Sequence, residues 1–128
     1  MKILIATGIF PPEIGGPAEY AKNLQEIWTR QGHAVSVKIF SKFNKIPTGL
    51  RHLVYFFYIL RKAVSADFIV CLDTFSAALP TVLWAVLFNK KIFLRTGGDF
   101  LWETYVERTG DLVLLKDFYN TRIERMSV

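Results

Sequence analysis

The order in which buried strands and amphipathic helices alternate restricts this chain to one class of fold. Residues 2–7 form an apolar run that predicts a buried strand, and residues 17–31 carry apolar side chains at helical spacing. Pro17 marks the start of that helix and Gly32 its stop. Residues 35–39 alternate between apolar and polar side chains, which predicts a second strand. The first fifty residues therefore form a βαβ unit, which implies parallel pairing with a right-handed crossover.

The same alternation continues to the end of the chain. A basic loop is expected over 41–49, and the elements that follow it are a helix over 50–64, a strand over 67–73, a helix over 76–88 and a strand over 91–96. Helical segments are expected near 100–108 and from about residue 112. The resulting βαβαβαβ order predicts an α/β fold, a Rossmann-like doubly wound parallel sheet.

Length and composition suit one globular, cytoplasmic domain. The chain has 128 residues, of which 52% are hydrophobic and 15% aromatic, far from the profile of a disordered chain. Cys71 is the only cysteine, so a disulfide framework and a cysteine metal site are both excluded. Few apolar residues precede Pro11, which argues against a secretory signal. The apolar stretches 53–60 and 77–88 are shorter than the about 20 residues that a membrane span needs.

The charge balance favours an anionic partner. A net charge of +5 suits a phosphate-bearing ligand, an acidic lipid surface or nucleic acid. The lysines and arginines are scattered, with short clusters over 38–45, 61–62 and 90–91, so a merely solvated basic surface stays open as the alternative. We expect no nucleic-acid partner.

The loop in "GIFPPEIGGPAEYAKNL", residues 8–24, is a candidate phosphate contact. In a doubly wound sheet the loop after the first strand usually contacts the ligand, and Gly15 and Gly16 allow a close approach of the backbone to an anion. A turn that merely links strand to helix is the alternative. The glycine spacing matches neither a dinucleotide fingerprint nor a P-loop.

The opening forty residues carry a resemblance to a known family. "MKILIATGIFPPEIGGPAEYAKNLQEIWTRQGHAVSVKIF" resembles the N-terminus of the GT-B glycosyltransferases of group 1 (family 4), and the resemblance continues through "DFIVCLD", "KKIFLRTGGDFLWE" and "RIER". It implies that Gly15 and Gly16 neighbour the diphosphate of a nucleotide-sugar. It also implies metal-independent sugar transfer with retained anomeric configuration and no cofactor, since the nucleotide-sugar is a substrate.

A second group of candidates follows the fourth strand. Asp99 and Glu103, four residues apart, would share one face of a helix that begins at residue 100, where a carboxylate could bind sugar hydroxyls or transfer a proton. We take Asp99 as the catalytic candidate and Glu103 and Arg95 as acceptor-binding candidates. The alternative makes Asp99 a helix cap and Glu103 a first-turn charge. Many relatives carry a His–Asp pair where this chain has Gly98–Asp99.

Three other features have alternatives that stay open. Asp73 ends the third strand, where it could contact acceptor hydroxyls or cap the next helix. His33 and His52 lack further ligands around them, so we expect no metal site. The stretch "LRHLVYFFYILRKA", residues 50–63, suits an interfacial helix or a helix that packs on the sheet, in which case Leu53, Phe56, Phe57 and Leu60 would face the core.

The resemblance to GT-B glycosyltransferases implies a partial, acceptor-side domain over residues 1–128, with the donor-binding domain of such an enzyme absent. The whole enzyme would transfer a sugar from a nucleotide-sugar donor to a sugar or lipid-linked acceptor, as in the synthesis of cell-envelope polysaccharides. We expect the fragment alone to be inactive and to expose apolar surface where further strands would pack. The alternative is a non-catalytic acceptor-binding or membrane-docking module that works with a separate donor-binding chain. Either protein would be cytoplasmic, with a possible peripheral contact to the inner face of the membrane.

Overall fold

A computed structural model describes residues 1–96 and 100–121, with the backbone alone for residues 100 and 101. The chain divides into two compact units between residues 97 and 98. The first unit contains, in chain order, β1 (Lys2–Thr7), α1 (Gly16–Arg30), β2 (Ala34–Ile39), a 3₁₀ turn (Ser41–Phe43), α2 (Thr48–Ser65), β3 (Phe68–Leu72), α3 (Ala78–Leu87) and β4 (Lys91–Leu94). The second unit contains α4 (Phe100–Thr109) and α5 (Leu115–Thr121).

The four strands form one parallel sheet in the order β2-β1-β3-β4. The register pairs Ile3 of β1 with Val35 of β2 and with Phe68 of β3, so β1 is a central strand. This confirms the predicted α/β class with a parallel sheet, and the topology is compatible with a Rossmann-like fold. The predicted loop 41–49 is shorter than expected, because its last residues already belong to α2.

Helices cover both faces of the sheet because side chains alternate along each strand. On one face Ile3 and Ile5 pack with Ala21 of α1. On the other face Leu4 and Ala6 pack with residues of α2 and α3. α3 begins at Ala78, two residues later than predicted, and Pro80 lies in its first turn, where a missing N–H is tolerated.

The most deeply buried residues of α2 are ones that the sequence analysis did not select. Tyr55, Ile59 and Ala63, spaced four residues apart, are buried. Of the four residues expected to face the core if α2 packs on the sheet, Phe56 and Leu60 are partly buried against it, so the expectation is confirmed for these two. Leu53 and Phe57 are 54% and 61% exposed, so for them it is wrong.

The contact between α2 and α3 uses a neighbouring side of α2. Phe56 stacks on Trp84 of α3 with ring centroids 4.3 Å apart, and the Trp84 Nε1–H donates a hydrogen bond of 2.7 Å to the Phe56 carbonyl. The α2 helix is therefore anchored to α3 by a side chain that is only partly buried.

The second unit has its own small core. Phe118 of α5 is fully buried and lies 5.2 Å from the ring of Tyr105 in α4. Trp102 Nε1 donates to the Val113 carbonyl at 2.7 Å, which ties α4 to the segment before α5. α5 begins three residues later than the predicted start near 112. Within the described parts of both units, every helix is too short or too polar to cross a lipid bilayer.

Candidate functional site

The sheet order places a topological switch point between β1 and β3. The chain leaves β1 towards β2 on one side and leaves β3 towards β4 on the other, so the two connecting loops diverge. In parallel α/β sheets such a divergence opens a crevice beyond the carboxyl ends of the strands. Gly15, Gly16, Asp73 and Arg95 all follow the carboxyl end of a strand in this unit.

Gly8 and Asp73 bring the two diverging loops into contact. A Cβ atom on Gly8 would lie 2.9 Å from the Asp73 Oδ2 and 3.6 Å from its Cγ, and these are its only such neighbours within 4 Å among the described residues. A side chain at position 8 would therefore force the Asp73 carboxylate to move. The sequence analysis missed this role, although a glycine directly after a buried strand was its signal.

The carboxylate of Asp73 caps the turn that leads into α3. Its Oδ1 accepts a hydrogen bond from the Phe75 N–H at 3.0 Å, and its Oδ2 accepts one from the Ala77 N–H at 2.9 Å. Both bonds hold residues that precede α3, and within the described residues no side chain caps α3 itself, so the alternative in which Asp73 caps the helix is wrong. A carboxylate has further lone pairs for a hydroxyl group, so the acceptor-binding role of Asp73 stays a prediction.

Gly15 and Gly16 form the start of α1, and no side chain caps this helix N-terminus within the described residues. A Cβ on Gly16 would meet no atom of the described residues within 4 Å. A Cβ on Gly15 would lie 2.7 Å from the Ile9 Cδ1, and the Gly15 φ of +158° is one that L-residues rarely adopt. The amides of this first turn are not screened by a side-chain cap, which is the arrangement that favours an anion at a helix N-terminus.

The proline-rich loop before Gly15 is held in shape by Glu13. The Glu13 Oε2 accepts a hydrogen bond of 2.6 Å from the Ser41 hydroxyl and one of 3.3 Å from the Phe10 N–H. The Glu13 N–H in turn donates to the Phe10 carbonyl at 3.1 Å. Glu13 therefore connects the loop after β1 to the loop after β2, a role for which the sequence carried no distinct signal.

Arg95 lies against the first part of α1. Its N–H donates to the Cys71 carbonyl at 2.8 Å, which extends the pairing of β3 and β4 by one residue. Its guanidinium carbon lies 3.8 Å from the centroid of the Tyr20 ring, within the range of a cation–π contact. Tyr20 follows Gly16 by one helical turn, so Arg95 is brought towards the predicted phosphate loop. Its acceptor-binding role stays a prediction.

The two remaining candidates belong to the second unit. Glu103 lies in the first turn of α4, the position at which a carboxylate favours the helix dipole. Asp99 lies outside the described residues. Of the predicted site residues, the structure places Asp73 against Gly8 and Arg95 against Tyr20. The catalytic role of Asp99 stays a prediction.

Cys71 does not supply a nucleophile to this edge of the sheet. Burial, assisted by the negative charge of Asp73, raises the pKa of the Cys71 thiol to about 12. The thiol is therefore protonated at neutral pH, whereas the thiolate is the reactive form.

The two histidines occupy structural positions. The His52 Nδ1–H donates to the Thr48 carbonyl at 2.8 Å, and its ring contacts the ring of Phe40. His33 Nδ1 lies 3.3 Å from the amino group of Met1. In the part of the chain that the structure describes, no three His, Cys, Asp or Glu side chains group closely enough to hold a metal ion.

Comparison with known proteins gives no relative for this chain. No family model, no curated protein and no solved structure matches it. The functional assignment therefore depends on the residues and on their geometry.

Proposed function

We propose that the chain is the acceptor-side domain, over residues 1–128, of a retaining GT-B glycosyltransferase that uses a nucleotide-sugar donor. One observation carries this proposal: the uncapped, glycine-bearing start of α1 lies at the carboxyl end of a parallel strand, with the Arg95 guanidinium one helical turn away. A diphosphate is the part of a nucleotide-sugar that this arrangement suits best.

The electrostatics of the first turn of α1 support a phosphate. The free amides and the helix dipole attract negative charge, and the cation of Arg95 adds to that attraction. Glu19, in the same turn, opposes it.

The remaining candidates receive roles in the same reaction. The bond between the anomeric carbon and the phosphate oxygen breaks, a bond to the acceptor hydroxyl oxygen forms, and the nucleoside diphosphate leaves. We assign Asp99 to the transfer of the hydroxyl proton, and Asp73, Arg95 and Glu103 to acceptor contacts. The proposal involves no metal ion and no cofactor. The acceptor is a sugar or a lipid-linked sugar.

The test is a titration with inorganic pyrophosphate, followed by amide chemical shifts in ¹⁵N-labelled protein. We expect the Gly15, Gly16 and Ala18 amides to shift first. Arg95→Gln should weaken binding about tenfold or more, since a hydrogen bond to a charged group contributes about 1.5–3 kcal/mol. Arg30→Gln is the matched control, because Arg30 is an exposed cation in the last turn of the same helix. Equal weakening by both substitutions, or shifts spread over the lysines, would contradict the phosphate site.

The alternative is a non-catalytic module that binds an acceptor or docks on a membrane beside a separate donor-binding chain. The exposed apolar side chains of α2 favour the docking part of this alternative. Reading the coding sequence past codon 128 separates the two candidates. An open frame that continues for roughly one more domain, about 150 residues, with an acidic pair after a glycine-rich loop supports the enzyme. An immediate stop codon supports the module.

A further inference from the structure

β2 is an edge strand of the sheet, because β1 is its only partner in the part of the chain that the structure describes. The Ala34 N–H donates to the Met1 carbonyl and the Phe40 N–H to the Thr7 carbonyl, each at 2.9 Å. The even-numbered residues of β2 therefore direct their backbone groups towards β1. The backbone groups that point away from the sheet form what we name the open edge of β2, and they belong to Val35, Val37 and Ile39.

The two faces of β2 carry different side chains. Val35 and Val37 pack with the core under α1, and both are only partly buried. On the α2 side β2 carries Ser36 and Lys38, at positions where the neighbouring strand β1 carries core residues. These polar side chains offer α2 no apolar surface to cover. A groove therefore remains between β2 and the second half of α2.

Two cavities make up this groove. One has a volume of about 700 Å³ and is lined by Lys38 and by residues of the second half of α2. The other has a volume of about 180 Å³ and reaches Ser36 and the start of β1. The two adjoin, because Lys62 and Ser65 line both. None of the described residues that line them is acidic, and the cations among them are Lys2, Lys38, Arg61 and Lys62.

The cations of this groove are available to an anionic partner. Lys38, Arg61 and Lys62 form no ion pair with any described residue. The Lys38 Nζ lies 4.0 Å from the centre of the Tyr58 ring, so the amine is held beside the groove by a cation–π contact. The sequence contains no aspartate or glutamate over residues 27–66. The charge of the groove therefore favours a partner that carries carboxylates.

We propose that the open edge of β2 binds an acidic peptide, which adds to the sheet as a further strand. The open edge supplies backbone hydrogen bonds to an extended chain, and the groove supplies the charge that selects among such chains. Side chains of an added strand alternate between the two faces of the sheet. On the α2 side they would meet Lys38 and Arg61. On the α1 side they would cover Val35 and Val37, so the partner is a segment that alternates acidic and apolar residues.

A second copy of the chain suits this edge less well. Pairing of two β2 strands about a two-fold axis would bring Lys38 and the neighbouring cations of both copies together without acidic partners. The same lysine thus disfavours self-association and favours an acidic strand. The proposal uses none of the residues assigned to sugar transfer and stands apart from the proposed function.

The test is amide hydrogen exchange of the ¹⁵N-labelled whole chain, measured with and without a heptapeptide of alternating valine and glutamate whose ends are acetylated and amidated. In the free protein we expect the amides of Val35, Val37 and Ile39 to exchange faster than those that donate to β1. A saturating concentration of the peptide should slow their exchange about tenfold or more, because each amide then donates to the added strand.

Control peptides and variants isolate the contributions of alternation and charge. A heptapeptide with lysine in place of glutamate, and one whose valines all precede its glutamates, should both bind much more weakly. Arg61→Glu should weaken binding of the alternating peptide about fivefold or more, since it turns an attraction into a repulsion. Arg30→Glu is the matched control, because it makes the same change of charge on α1, and it should have little effect. Fluorescence anisotropy of a labelled peptide measures these affinities.

Circular dichroism verifies that both variants are folded. The proposal is overturned if the outward amides of β2 are already protected in the free protein, or if the alternating peptide leaves their exchange unchanged. Protection that appears instead at Ile92 and Leu94, whose amides point away from β3, would place the peptide on the opposite edge of the sheet and overturn it as well. Equal weakening by Arg61→Glu and Arg30→Glu would show that net charge, and not the groove, attracts the peptide.

Discussion

The contact between Gly8 and Asp73 makes a sharp prediction about stability. Gly8 has no positive φ, so an alanine is compatible with its backbone, and only the Asp73 side chain stands in the way of the new methyl group. The methyl carbon would lie 2.9 Å from the Asp73 Oδ2, closer than real contacts allow. The carboxylate must therefore move, and it cannot move without weakening its bonds to the Phe75 and Ala77 amides.

The magnitudes follow from these bonds. Loss of a cap of this kind costs about 0.5–2 kcal/mol, so we expect Asp73→Ala to lower the free energy of unfolding by about 1–2 kcal/mol. Gly8→Ala in the wild-type background should lower it by about 1 kcal/mol, because the displaced cap outweighs a gain of about 0.4–1 kcal/mol from the stiffer unfolded chain. In the Asp73→Ala background the clash is gone, and Gly8→Ala should be neutral or stabilising by that smaller amount.

The assay is a double-mutant cycle by urea denaturation, with circular dichroism as the probe. The coupling free energy between the two positions should be about 1–2 kcal/mol, and the double variant should be at least as stable as Asp73→Ala alone. Simple additivity of the two substitutions would refute the reasoning, since it would mean that Gly8→Ala does not act through the carboxylate.

Three further predictions concern the core and the solution conditions. Ile59→Ala should lower the free energy of unfolding by about 2–5 kcal/mol, because Ile59 is fully buried. Leu53→Ala on the same helix should change it by no more than about 0.5 kcal/mol, because Leu53 is exposed. Urea denaturation of the two variants measures the difference. Tyr55→Phe should cost about 1 kcal/mol, since the buried Tyr55 hydroxyl donates to the Lys38 carbonyl at 2.9 Å, and thermal unfolding at neutral pH measures it. Burial raises the pKa of Cys71 to about 12 in the folded state, from 9.0 without burial. Between these pH values the folded state holds a proton that the unfolded chain has lost. The free energy of unfolding should therefore fall as the pH rises through this window, by about 1.4 kcal/mol for each pH unit. Cys71→Ala should flatten the decline between these pH values, and an unchanged slope would contradict the effect of burial on the thiol.

The sequence was sufficient for the order and type of the elements in the first unit, because strand and helix periods differ clearly there. The apolar run of β1 and the helical spacing of α1 placed both elements within two residues of their observed bounds. The side of α2 that faces the sheet could not be predicted, because apolar residues occur around nearly the whole circumference of the helix. Packing, and not periodicity, selected Tyr55 and Ile59 as its inward side.

The candidate site was predicted less completely for a related reason. A pattern marks residues that are near each other along the chain, so the Gly15–Gly16 pair at the start of α1 was recognisable. The contact of Arg95 with Tyr20 joins residues that are far apart in sequence, and it exists only because the sheet brings the end of β4 near α1. Gly8 was missed because its constraint comes from a side chain on another loop.

The hydrogen bonds of Glu13 have a consequence for the energetics of ligand binding. Because Glu13 ties the loop after β1 to Ser41, the segment that leads to Gly15 is ordered before any ligand arrives. Ordering a residue of free chain costs about 1–2 kcal/mol of conformational entropy, and here that cost is met during folding. The ligand proposed for the start of α1 would therefore meet a pre-organised surface, without the cost of ordering this loop on binding.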